Sequence, residues 1–176
     1  MRAPTTSVSD RLRTGRYTYR AKAPRPARAA AKGEHAKLTR ALGVHKQLLS
    51  HASSAIRTLT AARNEMIAQA LEDGLTLATI AGVTGESIRA VRNIALAYDD
   101  LQASGLPRNA QLDALKAKSE ELKAAEGHRD QITERREALI VMALQTQVCD
   151  ELELASLTGL TQDHIRRSTR GHTRSA

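Results

Sequence analysis

The chain of 176 residues contains no tryptophan, no phenylalanine and only three tyrosines. A core built on aromatic rings is therefore excluded, and the 41% of hydrophobic residues is carried mainly by alanine, leucine and isoleucine. Such a composition favours helices over sheets. No run alternates apolar and polar residues between hairpin dipeptides, which removes the usual sign of strands. An all-α protein is expected. Cys149 is the only cysteine, so no internal disulfide can form and nothing points to an oxidising compartment. No apolar run approaches membrane length, and the basic N-terminus lacks the apolar segment of a secretory signal. The expectation is a soluble cytoplasmic protein with no membrane partner.

Catalytic signatures are absent too. There is no HExxH pair, no phosphate-binding loop and no glycine-rich dinucleotide fingerprint. The six histidines, at 35, 45, 51, 128, 164 and 172, are scattered, and none pairs with a cysteine at zinc-ligand spacing. Cys149 has no base partner in sequence and reads as a structural thiol. The acid pairs Asp99–Asp100 and Glu120–Glu121 are adjacent and so do not share a helix face. The sequence therefore predicts a non-enzyme, with no metal, no cofactor and no small-molecule substrate.

The net charge of +8 is unevenly placed. Nine of the lysines and arginines and a single acid lie in residues 1–32, and the rest of the chain sums to zero. A basic arm on a neutral body most often meets a polyanion such as nucleic acid; a solubilising tail is the plainer reading. Residues 1–33 are rich in Arg, Ala, Pro, Thr and Ser, with Pro24 and Pro26 opposing a continuous helix, and are expected to form a disordered arm.

From 36 to 73 apolar or small residues recur at near-heptad spacing, through Leu38, Leu42, Leu49, Ile56, Leu59 and Met66, with His45 and Arg63 as flaws. This predicts a long helix that ends at Asp73–Gly74, where glycine can take the left-handed cap. Gly105-Leu106-Pro107 breaks the chain, and a second long helix is expected over 109–146, with a seam through Leu112, Leu115, Leu122, Ile132, Leu139 and Ala143. The segments LTAARNEMIAQAL (59–71) and ITERREALIVMAL (132–144) then match at an offset of 73, and after one inserted residue IAGVTGESIRAV (80–91) matches LASLTGLTQDHI (154–165) at 74. Heptads alone do not produce a match that continues through a turn. The chain reads as two copies of one unit, a long helix followed by a short bihelical element. The predicted division is a basic arm at 1–33, a first unit at 34–106 and a second at 107–176.

The shared pattern of the short elements is apolar-Ala-x-apolar-Thr-Gly-x-Ser/Thr-x-x-x-Val/Ile. It resembles the helix-turn-helix of DNA-binding proteins, as found in phage, plasmid and bacterial regulators and in the promoter-reading domains of sigma factors. Alanine lets two helices cross closely, glycine supplies a turn with positive φ, and Ser or Thr caps the second helix. The resemblance implies that the second helix of each pair enters the major groove of double-stranded DNA. In the first unit it would begin at Ser87 and offer Ile88, Arg89, Arg92 and Asn93 outward, with Val91 and Ile94 inward. In the second it would begin at Thr161 and offer Gln162, Asp163, His164, Arg166, Arg167 and Arg170, with Ile165 inward. Arg, Asn and Gln match guanine and adenine edges, whereas Asp163 is unfavourable near phosphate. Arg11, Arg13, Arg16, Arg20, Arg25 and Arg28 of the arm would follow the DNA backbone.

The implied function is a transcriptional regulator, located at the nucleoid when bound. The long helices must also bury their seams. They can pair antiparallel within the chain, which puts the two heads towards opposite ends, or associate between chains as a homodimer. The competing class is a coiled-coil-like structural or adaptor protein that binds a protein partner such as polymerase or a phage component. The two classes separate on Arg89, Arg92, Arg166 and Arg167: a DNA reader leaves them exposed and free of salt bridges, and an adaptor pairs them with acids or buries them.

Overall fold

The computed structural model describes residues 26–98 and 101–172. Among these residues there are six α-helices and no strand: α1 (Pro26–Glu72), α2 (Leu77–Thr84), α3 (Ile88–Ala95), α4 (Arg108–Gln145), α5 (Glu151–Thr158) and α6 (Gln162–His172). The expected all-α class holds. One boundary differs from the sequence reading: α1 begins at Pro26, inside the stretch read as an arm. Proline is acceptable at a first helical position because the N–H it lacks has no intrahelical acceptor there, and the alanine-rich residues that follow carry the helix forward. Residues 1–25 lie outside the described residues.

The two long helices pack along each other and run antiparallel. One core cluster joins Leu38 and Leu42 near the start of α1 to Ile140 and Ala143 near the end of α4. The other joins Ile67 and Ala70 near the end of α1 to Leu115 near the start of α4. The intervening seam is thinner, with Leu122 and Ile132 buried and Leu49, Ile56 and Leu59 half-buried. His45, a flaw in the apolar seam, is accommodated because its Nδ1 donates to the Ala41 carbonyl at 2.8 Å, so its polar edge is satisfied within its own helix.

The buried stripe widens at each end beyond the seam read from sequence. Ile67, Ala68, Ile140 and Val141 are buried although they lie off the predicted heptad. The reason is that each end carries a second layer. The α2–α3 pair packs on the end of α1 and the start of α4, adding Ile80 and Val91 to that cluster. The α5–α6 pair packs on the end of α4 and the start of α1, adding Leu154 and Ile165. All four side chains are fully buried. At about 25 cal/mol per Å² of apolar surface removed from water, burial of this kind stabilises by roughly 1.5–3 kcal/mol per aliphatic side chain.

The chain leaves α1 through Gly74, at φ +84°, and leaves α4 through Gln147, at φ +53°. After each, the next N–H returns to the helix: Leu75 to Ala70 O at 2.9 Å, and Val148 to Ala143 O at 3.0 Å. Cys149 then follows as one extra residue before the cap of α5. The connection from α3 to α4 is tied back at Asp73, whose carboxylate accepts from the Ser104 N–H at 2.6 Å, from Ser104 Oγ at 2.5 Å and from the side chain of Gln111. The Ser104 hydroxyl bond, before the others, holds the Asp73 carboxyl below its ordinary value.

Candidate nucleic-acid interface

Each short helix pair is set by matching local chemistry. Thr76 caps α2 by accepting from Thr79 N, and Asp150 caps α5 by accepting from Glu153 N at 2.7 Å. Both second caps repeat the device: Ser87 Oγ accepts from Ala90 N at 3.1 Å and Thr161 Oγ1 from His164 N at 3.3 Å. Between them the turns are alike. Thr84 and Thr158 donate back to Ile80 O and Leu154 O and accept from Glu86 N and Leu160 N. Gly85 and Gly159 sit at φ +73° and +74°, a left-handed conformation that costs a residue with a Cβ about 1–2 kcal/mol.

This turn fixes which face of α3 points out. Val91 is fully buried and Ile94 is half-buried against the same cluster. Arg89, Arg92 and Asn93 are exposed, as are Ser87 and Ile88, and Ile88 is 49% accessible. Neither Arg89 nor Arg92 makes an ion pair among the described residues. The first turn of the pair is further fixed by Arg63, only 12% accessible, whose guanidinium meets Glu86 at 3.0 Å. Arg63, a flaw in the apolar seam, is thus a strut between α1 and the turn before α3.

The second head is different. Ile165 is fully buried as expected. Arg166, however, meets Glu151 at 2.8 Å and Asp163 at 3.7 Å, so the expectation of an unbridged arginine fails here. The cause is the sequence of α5: its first residue, Glu151, stands across from Arg166, where the matching position of α2 is the apolar Leu77. His164 is half-buried beside Glu137 at 3.8 Å. Arg167 is exposed and donates to the Asp163 carbonyl at 3.2 Å. Gln162 is half-buried and Thr161 and Arg170 are exposed. Asp163, Arg166, Arg167 and Arg170 line one shallow depression. Arg11, Arg13, Arg16, Arg20 and Arg25 lie outside the described residues, and Arg28 falls on the first turn of α1.

One grouping was invisible in the sequence. His35 of α1 meets Glu153 of α5, Nε2 to Oε1 at 2.6 Å, 118 residues apart. The thiol of Cys149 lies beside them, and burial, then the nearby Glu153, push it up to about 11. No regular spacing links these three positions; only the antiparallel return of α4 brings them together.

No protein-family model, no curated protein and no solved structure matches the chain. Among the described residues no helix is long and apolar enough to cross a membrane.

Proposed function

We propose that the chain is a DNA-binding protein, a transcriptional regulator of the phage, plasmid or bacterial type, whose two short helix pairs act as helix-turn-helix units. The observation that carries the reading is the outward face of α3. A short helix is capped at Ser87, locked inward by Val91 and Ile94, and presents Arg89, Arg92 and Asn93 to solvent with no acid partner among the described residues. Arginine and asparagine are the side chains that pair bidentately with guanine and adenine in the major groove.

Spacing is of the right order. Leu38 and Leu42 anchor one head along α1 and Ile67 and Ala70 the other, 25–32 residues apart, or about 37–48 Å at 1.5 Å per residue. Successive major grooves on one side of a duplex recur every ~34 Å. An approximate two-fold that exchanges two antiparallel helices must lie normal to the plane they share. Heads related by it stand on the same side of that plane, as a pair of reading heads requires. The basic residues of 1–25 would add sequence-independent attraction to phosphate.

The first head is the principal reader in this proposal, because Arg166 of the second is engaged with Glu151 and Asp163. That same pairing favours the second reading, an adaptor in which the α5–α6 end meets a protein partner. A mobility-shift series separates them. Arg89→Ala and Arg92→Ala each weaken binding to the preferred sequence by about 1–3 kcal/mol and relax base preference, with Arg166→Ala costing less. Replacing the arginines of 1–25 by glutamine weakens binding to every sequence and lowers the salt slope by roughly one for each phosphate that is no longer neutralised. Retention of DNA unchanged by all of these substitutions would sink the DNA reading and leave the adaptor.

A further inference from the structure

We propose that His35, Cys149 and Glu153 form a binding site for a divalent transition metal, zinc being the best fit, that clamps the α5–α6 head to the start of α1. The site is independent of the DNA reading. One imidazole nitrogen, one thiol sulfur and one carboxylate oxygen lie within 4.8 Å of one another. In a tetrahedral zinc site the bond lengths, ~2.3 Å to sulfur and ~2.0–2.1 Å to nitrogen and oxygen, place the ligand atoms about 3.3–3.6 Å apart. Closing to that geometry draws the sulfur in from within 4.8 Å and opens the direct contact between His35 and Glu153, now 2.6 Å, by about 1 Å. Mixed N, S and O donors suit zinc, whereas calcium and magnesium take oxygen ligands almost alone.

The other end of the molecule shows that the fold does not require this trio. Shifted by 73 and 74 positions, His35 and Glu153 correspond to Arg108 and Thr79, and Cys149, the extra residue of the second half, is buried before the cap of α5 as Leu75 is before the cap of α2. The same contact exists there, Arg108 to the Thr79 hydroxyl at 3.5 Å, and Leu75 fills the buried place. That end packs without a single ligand of the set. At the His35 end all three positions carry ligating side chains, and Cys149 arrives through the one residue by which the second half exceeds the first.

Access and coordination number also fit. His35 and Glu153 side chains are 40% and 38% accessible, while Cys149 is buried beneath them. A metal would enter from the solvent side, hold three protein ligands and keep water as the fourth. Binding takes the thiol proton, which passes to solvent, and leaves thiolate, neutral imidazole and carboxylate on the metal. Because the ligands come from α1, from the residue before the α5 cap and from α5 itself, the bound ion fixes the head on the rod.

The test uses the untagged full chain, freed of metal by a chelator and titrated with cobalt(II) as the probe. The expected result is a thiolate-to-cobalt charge-transfer band with the visible bands of four-coordinate cobalt, both bleached by one equivalent of zinc. Cys149→Ser removes the charge-transfer band. His35→Ala and Glu153→Gln weaken binding by at least the ~10–100-fold that outer-shell changes alone cost. Zinc raises the melting temperature of the parent chain and not of His35→Ala. Arg108→Ala, at the matching place in the other half, changes nothing. If Cys149→Ser does not fold, the variants at the half-exposed His35 and Glu153 decide the matter. Absence of the sulfur band, or undiminished affinity in His35→Ala, overturns the site.

Discussion

Two glycines three residues apart are predicted to respond to alanine with opposite sign. Gly85 closes α2 at φ +73°, and its N–H returns to the Ala81 carbonyl. No atom lies within 4 Å of where its Cβ would stand, so the cost of Gly85→Ala is backbone strain alone, about 1–2 kcal/mol. Gly82 lies inside α2 with its surface exposed, and a Cβ there also meets nothing. Gly82→Ala should therefore stabilise by up to ~1 kcal/mol, the difference in helix propensity. The matching positions in the second head agree: Ser156 stands where Gly82 does, and Gly159 where Gly85 does, at φ +74°. For a chain of this length 1 kcal/mol moves the melting temperature by roughly 2–4 °C. Thermal unfolding followed by circular dichroism reads both. The expected order is Gly82→Ala above the parent and Gly85→Ala below it. A Gly85→Ala protein as stable as the parent would mean that the turn does not need the left-handed residue, and the account of both heads would fail with it.

Other outcomes follow from packing and titration. Leu154→Ala and Ile80→Ala, both fully buried, should each cost about 2–5 kcal/mol; a loss under about 1 kcal/mol at either, measured by urea unfolding, would mean that the head there is not packed on the rod. Asp73 has its carboxyl lowered in the folded state by the Ser104 bonds. A lowered folded value favours folding above the ordinary carboxylate value of 3.8, and that stability disappears as pH falls below it through the folded value. Asp73→Ala should therefore flatten this part of the acid limb of the stability curve relative to the parent, and an unchanged limb would refute the linkage.

Much of the fold was legible in the sequence because its determinants are local. The long helices follow from apolar spacing, and every seam position proved buried or half-buried. The stops at Gly74, Gly85 and Gly159 follow from the backbone those positions need, and Ser87 and Thr161 follow from the demand of a helix start for an acceptor. What was missed was non-local. Ile67 and Ile140 lie off the heptad and are buried because a second layer covers them. Arg63 broke the seam in sequence and became a strut once Glu86 was brought beside it.

The candidate interface divides in the same way. That Arg89, Arg92 and Asn93 share one face with Val91 opposite follows from helical periodicity, so sequence sufficed. That Arg166 would be taken up by Glu151 depends on how α6 lies across α5, which no spacing along either helix encodes. The His35, Cys149 and Glu153 grouping lies further still from any pattern, since its members come from opposite ends of the chain. Sequence by itself determined where the long helices run and stop and which stripe of each turns inward, though not that α1 reaches back to Pro26, because propensity, capping and periodicity act over a few residues. The tertiary structure alone decided which charges are left to face solvent and which ligands meet, because those depend on antiparallel packing that brings distant positions into contact.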